Sequence, residues 1–484
     1  MKKILILFII ALSASTTQSQ DMLGVVSSDY SGVSRSFINP ASMMNSRKYF
    51  DLLIVSGDIF AQNNYLYVPG KDYSLLKLRY LDFPTYPESG QNFLDDYANR
   101  QDKYGFANLR LTGPSAMLII NRQAFAIHNS FRSVSSVDGL PYDIAKFMLE
   151  GLDFAPQQNT RYTHDKSYTV GSMSWVELGL TYARTLYKQG DVNLIIGATV
   201  KRLWGYHGVI VNSTSTDYMT PDSDTLVIYN LNATGGMSAP LNYSDNEFTG
   251  LQNPVRGNGF AFDLGVSYVR TLEPQSTRRR SSLCSFPYEP FIFRIGFSLM
   301  DVGVIDFDRN VRRLVFDNVD TVWGGVNSLG FSFIDVLLGD ISQSITGSPD
   351  ALLQGSSFSM ALPSYLSLQF DYNFQNNFIV NVVVIQDLPL LNNRLPRPSY
   401  ASIAPRYSTD RFEVSLPFSF YRYKEPRMGA SVRFLNFSVG SEKLGSLLGF
   451  SDFDGLDFYF AIQFGLTKGD CKRFRTMQNC HAYH

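Results

Sequence analysis

Charge is scarce in this chain. Asp, Glu, Lys and Arg make up 18% of its 484 residues and nearly cancel, to a formal net charge of −1; soluble domains carry roughly a quarter. Such a balance gives no reason to propose nucleic acid as a partner. Long hydrophobic runs are missing too. Beyond the first dozen residues no apolar run approaches the ~20 residues of a spanning helix, and the longest, Phe378 to Ile385, is interrupted by Asn381. Helical membrane insertion is therefore excluded. Also absent are a Gly-x-Ser-x-Gly elbow, a His-Glu-x-x-His pair and a phosphate-cradling Gly-Lys-Ser. His128-Asn129-Ser130 brings a histidine and a serine onto one strand face, and His207 lies on another strand, but no third group orients them. The chain reads as a non-enzyme, with no catalytic residues and no cofactor.

What is plentiful is aromatic: 37 Phe and 28 Tyr. The chain starts with a secretory signal, residues 1–19. Lys2 and Lys3 form its basic start, Ile4 to Leu12 its apolar core, and Thr17 and Ser19 the small residues before a cut ahead of Gln20. No cysteine stands at that cut, so no lipid anchor is expected there.

Beyond it, short runs alternate apolar and polar residues. In Tyr365 to Phe374, Leu366, Leu368, Phe370, Tyr372 and Phe374 share one face, and Ser367, Gln369, Asp371 and Asn373 the other. The pattern returns in Phe260 to Tyr268, Phe291 to Leu299, Phe412 to Phe420 and Phe458 to Leu466. The apolar faces are aromatic, with lengths close to the roughly 9–11 residues of a tilted crossing strand. The polar faces mix small and charged residues, as a lumen does. A secreted sandwich also alternates, but these features favour an all-β transmembrane antiparallel barrel of about 14 strands. The strands are expected at 47–67, 104–120, 123–135, 172–187, 191–211, 258–272, 289–304, 362–374, 377–388, 398–408, 411–423, 426–434, 435–443 and 455–467, with Phe434-Leu435-Asn436 as the tightest turn. Long connections fall near 68–103, 136–171, 212–257 and 305–361, and short ones between them. Outer loops are long and periplasmic turns short. Both termini are thus expected in the periplasm of a bacterium, with the barrel (47–468) in outer-membrane lipid and 469–484 as a periplasmic tail.

Residues 20–46 are too few for a domain and too apolar for a free tail. They are expected to plug the lumen, with Phe37, Asn39, Pro40 and Ala41 as gate candidates. Proline fixes its own φ and pushes Asn39 extended. An arm lying across the periplasmic rim is the other placement left open. A plug carrying Asn39-Pro40-Ala41 ahead of such a barrel resembles the FadL-type outer-membrane transporters. It is also similar to the PorV-type barrels of type IX secretion, and to barrels of unknown function that begin with a signal and an Asn-Pro-Ala segment. The resemblance covers the mature chain as architecture but only those three residues as motif. It implies a lumenal plug and passage of hydrophobic molecules through a kink or side opening in the wall.

Helical spacing appears in two outer loops, with Phe147 and Met148 in Pro141 to Phe154 and Leu337 and Leu338 in Phe331 to Ile345. These four are candidates for gripping a ligand or a partner; a lid packed on itself is the bland alternative. Cys471 and Cys480 can form a local disulfide in an oxidising periplasm, with Cys284 free or paired elsewhere. With His481 and His484 they match no zinc spacing, so no metal is expected. Arg278-Arg279-Arg280 reads as a solvated turn. The expected function is passive passage of small hydrophobic molecules. The alternative is a non-transporting, PorV-like shuttle or accessory with a secretion or assembly partner. An open polar porin stands third, because the 20–45 segment would obstruct it.

Overall fold

A computed structural model describes residues 21–70, 95–249, 253–272, 289–326 and 333–467. The signal, the triple arginine and the three cysteines lie outside those residues. Fourteen antiparallel strands close into one barrel. They are β1 (Lys48–Asn63), β2 (Lys103–Thr112 continued by Ser115–Ile120), β3 (Gln123–Leu140), β4 (Tyr168–Gln189), β5 (Val192–Met219), β6 (Gly257–Thr271) and β7 (Phe291–Phe307). The second half comprises β8 (Phe358–Ala361 continued by Tyr365–Asn373), β9 (Phe378–Asp387), β10 (Tyr400–Ser408), β11 (Phe412–Ser415 with Phe418–Tyr421), β12 (Glu425–Met428 with Ala430–Phe434), β13 (Phe437–Ser441) and β14 (Gly455–Thr467). Each alternating run of the sequence becomes one strand. Even the tight turn forms: Phe434 pairs with Phe437, and Leu435 takes a left-handed φ of 53°.

The seam joins β1 to β14, with Lys48 opposite Thr467 and Gln62 opposite Gly455. In hydrocarbon an unpaired backbone group costs several kcal/mol, and this pairing leaves no edge. The outer surface inverts the order of a soluble protein. Leu180, Val200, Phe262, Phe297, Leu368, Phe418, Phe434 and Phe464 are exposed around the wall, while Ser298, Ser367, Asp371, Arg406, Glu413 and Gln463 are buried inside. A ring of exposed apolar side chains on a closed sheet is the surface of a bacterial outer-membrane barrel. No helix among the described residues is long and apolar enough to cross a membrane.

Two stretches read as loops differ. Within 212–257 and 305–361 lie strands Thr225–Ser238 and Val311–Gly324, which pair with each other. The first also pairs with the end of β5. Strand β5 is 28 residues long, well beyond the roughly 9–11 that cross lipid. Its far half and this strand pair therefore stand clear of the hydrocarbon. Wet on both faces, strands such as this one, with Asn230, Asn232 and Thr234, need no apolar stripe, so the period-two signal vanishes. Helices Tyr142–Glu150 and Ile334–Thr346 form at the same long-loop end, each stopped by a glycine with positive φ, Gly151 and Gly347.

Candidate functional site

The lumen is filled by the chain's own residues 21–46, a short helix (Leu23–Val26) and two 3-10 turns (Gly32–Phe37 and Pro40–Asn45). Their partners come from all sides of the wall. The Leu23 amide donates to Glu442 (3.1 Å) and the Gly24 amide to the Tyr459 hydroxyl (3.1 Å). Ser28 donates to Glu413, the Val33 amide to Asp51, and Gln463 to the Tyr30 carbonyl.

The Asn39-Pro40-Ala41 turn has a fitted seat. Asn39 is extended, and its Oδ1 accepts from the Ala41 amide at 2.9 Å, capping the 3-10 turn that Pro40 starts. Its Nδ2 donates to Gln369 (2.8 Å) and to the Val266 carbonyl (3.1 Å). Beneath lie Gly197 and Gly265, directly opposite each other in β5 and β6. A Cβ on Gly265 would stand 2.1 Å from Asn39 Oδ1, and one on Gly197 2.5 Å from the Ala41 amide. Only glycine leaves room for the turn. Ala41 is fully buried among Ile195, Val269, Phe291 and Ile379. Phe37 lies edge-on to His128 (5.3 Å) with the Arg110 guanidinium over its ring, and its carbonyl accepts from Tyr365 (3.0 Å). Beside the seat is a cavity of about 30 Å³, room for about two waters.

Buried ion pairs surround this seat. Asp29 meets Arg294 at 2.6 Å and Arg35 at 3.2 Å, and Arg294 reaches on to Asp371 at 2.8 Å. Burial alone would raise the Asp29 carboxyl; Arg294 and Arg35 outweigh it and hold it well below the usual carboxylate range. Burial, with Arg294 nearby, pushes Arg35 down to about 10, so it remains charged at neutral pH.

Just along from the seat, on the same three neighbouring strands, the wall itself is irregular. Strand β6 shifts register between Phe262 and Leu264. In β7, Asp301 has a φ of 56°. Strand β8 is interrupted at 362–364, where Pro363 has no amide to donate. Side chains close the gap. Asp263 accepts from the Asp301 amide (2.8 Å), and Ser364 donates to the Asp301 carbonyl (2.9 Å). The Asp301 carboxylate takes a two-pronged contact from Arg132 (2.9 and 3.0 Å) and one from Lys201 (2.6 Å); Lys201 also reaches Asp263.

At the long-loop end, residues 388–399 fold inward across the mouth. Leu395 is fully buried, the Pro396 carbonyl accepts from Ser136 on β3 (2.6 Å), and the Asn393 carbonyl from the Ala361 amide (3.1 Å). From this loop Arg397 reaches down to Asp21 at 2.8 Å, and the Tyr400 hydroxyl donates to the same oxygen at 2.7 Å. Inward loop and N-terminal segment thus meet at one buried contact. Next to it is a cavity of about 340 Å³ lined by Tyr104, Phe106, Asp138, Asp387, Arg397 and Arg422 among others.

The four outer-loop candidates are dispersed. Phe147 is buried with Leu152, Tyr218 and Val326, fastening its helix to the end of β5. Met148 is exposed, and Leu337 and Leu338 are half-buried on the other helix. Ser130 bonds Thr112, and His128 packs on Phe37; no hydrogen bond joins the two among the described residues. Those residues hold no group of three or more His, Cys, Asp or Glu placed for a metal. Sequence reasoning missed Asp21, Arg397 and the inward loop. Its one local signal was the density of Pro389, Pro396 and Pro398 between two strands.

The crystal structure of the Ralstonia pickettii toluene transporter TbuX is similar at 10% identity and a TM-score of 0.39, over 90% of this chain and 94% of that one. A Pseudomonas aeruginosa FadL homologue is similar at 13% and 0.39, over 93% and 97%. A mutant of the TodX monoaromatic hydrocarbon channel is similar at 9% and 0.41, over 90% and 95%. At such values the likeness extends no further than barrel architecture. No curated protein matches in sequence. A family model described as "Family of unknown function (DUF5723)" matches residues 40–441, from the Pro40 turn to the end of β13, and the chain belongs to that family.

Proposed function

We propose that this barrel is a gated conduit for small, partly apolar molecules, with residues 21–46 as its hatch. The long-loop end faces outside and the short-turn end faces the periplasm, in keeping with the unequal connections. The observation that carries the reading is how the lumen is filled. The hatch is held to the wall by hydrogen bonds and by ion pairs such as Asp21–Arg397 and Asp29–Arg294. A purely structural core has no need of so many buried charges, since packed hydrophobic residues of like volume are often as stable. The irregular stretch of β6, β7 and β8 supports a side exit. There the ladder is already interrupted and bridged by side chains, so opening it breaks fewer backbone bonds than opening elsewhere.

Uptake into liposomes tests the reading, with the intact protein compared with a chain lacking residues 20–45. Faster entry of small aromatics or short fatty acids through the truncated form is expected. If neither form admits fatty acids, aromatics or sugars, the conduit is wrong. The second reading is a non-transporting shuttle or accessory. It is favoured by the paired strands Thr225–Ser238 and Val311–Gly324, which project beyond the lipid zone and expose Val322. Cross-linking in outer membranes that yields one stoichiometric protein partner would favour it over transport.

A further inference from the structure

We infer that the mouth cavity is a binding site for a small carboxylate held by Arg397, in competition with Asp21. The inference rests on the conduit reading for its purpose, not for its chemistry. Arg397 is 7% exposed. One arm of its guanidinium is taken by Asp21, and its plane lies over the Tyr365 ring at 4.0 Å. Its Nε is buried without a hydrogen-bond partner among the described residues. A buried guanidinium donor left open is costly, and a carboxylate is the group whose two oxygens match its fork.

The rest of the cavity agrees with a carboxylate and argues against a cation. Its two acids are already occupied: Asp138 pairs with Arg422 (3.1 Å) and Asp387 with Arg394 (2.6 Å). No lining acid is left over for a positive ligand, whereas the Arg397 guanidinium has spare capacity. Tyr104, Phe106, Pro396 and Pro398 supply flat apolar walls. The volume, about 340 Å³, lies at the small end of the roughly 300–1,000 Å³ usual for ligand sites. A short or single-ring acid fits this description, with its carboxylate on Arg397 and its apolar part against those rings.

Asp21 and such a ligand draw on the same guanidinium. A ligand that binds better when Asp21 has let go shifts the hatch toward release by that difference in affinity. The contact is therefore placed to let an arriving acid loosen the first residues of the hatch. The Leu23–Glu442 and Gly24–Tyr459 bonds still hold those that follow.

Isothermal titration of the full chain in detergent micelles tests this, with benzoate as probe and benzyl alcohol as its uncharged counterpart. Benzoate should bind about tenfold tighter than benzyl alcohol, the scale of one charge-assisted hydrogen bond. Arg397→Gln should abolish the preference, and Asp21→Asn should tighten benzoate by a similar factor. The tightening matters most, because a misfolded variant would not bind better. Equal binding of the two probes, no benzoate binding, or no gain in Asp21→Asn would each overturn the inference. The titration needs no transport. Failed liposome uptake with intact benzoate binding would sink the conduit and leave the site; the reverse result would sink the site alone.

Discussion

Residues 21–46, the hatch of the proposed conduit, are held differently at their middle and at their start. Around Asn39 the grip is one of shape: a turn pressed into two facing glycines, with an apolar pocket for Ala41 and the Asp29–Arg294 pair alongside. At Asp21 the grip is two donors on one carboxylate oxygen, beside an open cavity. The first loses its fit if anything moves by an ångström. The second can change partner without displacing any wall atom. On the proposed reading, a segment anchored this way would let go at its tip before its middle, which separates retention of the hatch from its response to ligand.

The largest effect should come from the anchor. Arg294→Met strands Asp29 and Asp371 with fewer counter-charges, and removing one partner of a buried pair costs about 3–5 kcal/mol. Hydrogen exchange read by mass spectrometry should show residues 21–46 losing protection while the β strands keep theirs. Equal loss in hatch and wall would mean that the anchor belongs to the barrel rather than to the hatch. Next is Gly265→Val, whose side chain would occupy the place of Asn39 Oδ1. Overpacking of this kind costs about 1–3 kcal/mol, and conductance in planar bilayers should rise as the turn is unseated. Unchanged conductance would show that the seat is not what keeps the lumen shut.

The smallest effect is that of acid. Asp29 has a depressed folded value, so its contribution is full above the ordinary carboxylate pKa and is lost only as pH falls through the folded one. Hatch protection should accordingly hold from neutrality down to about pH 4 and decline progressively below it. Failure already between pH 7 and 5 would assign the anchor to some other group.

How much of this could be read in the sequence follows from what each residue faces. The fourteen strands were legible because lipid on one side and lumen on the other impose a strict period of two, kept even by β13 and its neighbours. The strand pair 225–238 and 311–324 was not, since water on both faces imposes no period. Asn39-Pro40-Ala41 announced a turn, but its seat did not announce itself. Gly197 and Gly265 look like ordinary small residues on polar strand faces, and their role depends on a chain segment more than 150 residues earlier. The Asp21–Arg397 contact joins residues 376 apart; no local spacing could foretell it. The helical spacing around Phe147 was genuine, yet it reports a small core above the lipid rather than an exposed grip.

The seam between the first and last strands has a consequence for biogenesis. Residues 21–46 touch β1 through Asp51 and β14 through Tyr459 and Gln463. They are made before β1, whereas β14 is made last. A cylinder zipped early would have to take these twenty-six residues in afterwards through its short-turn end, with Asp21, Asp29 and Arg35 going into a closed interior. Packing the segment against a still-open sheet, and zipping afterwards, avoids that passage. On that route the β1–β14 seam would be the last pairing to form, closing around a segment already in place.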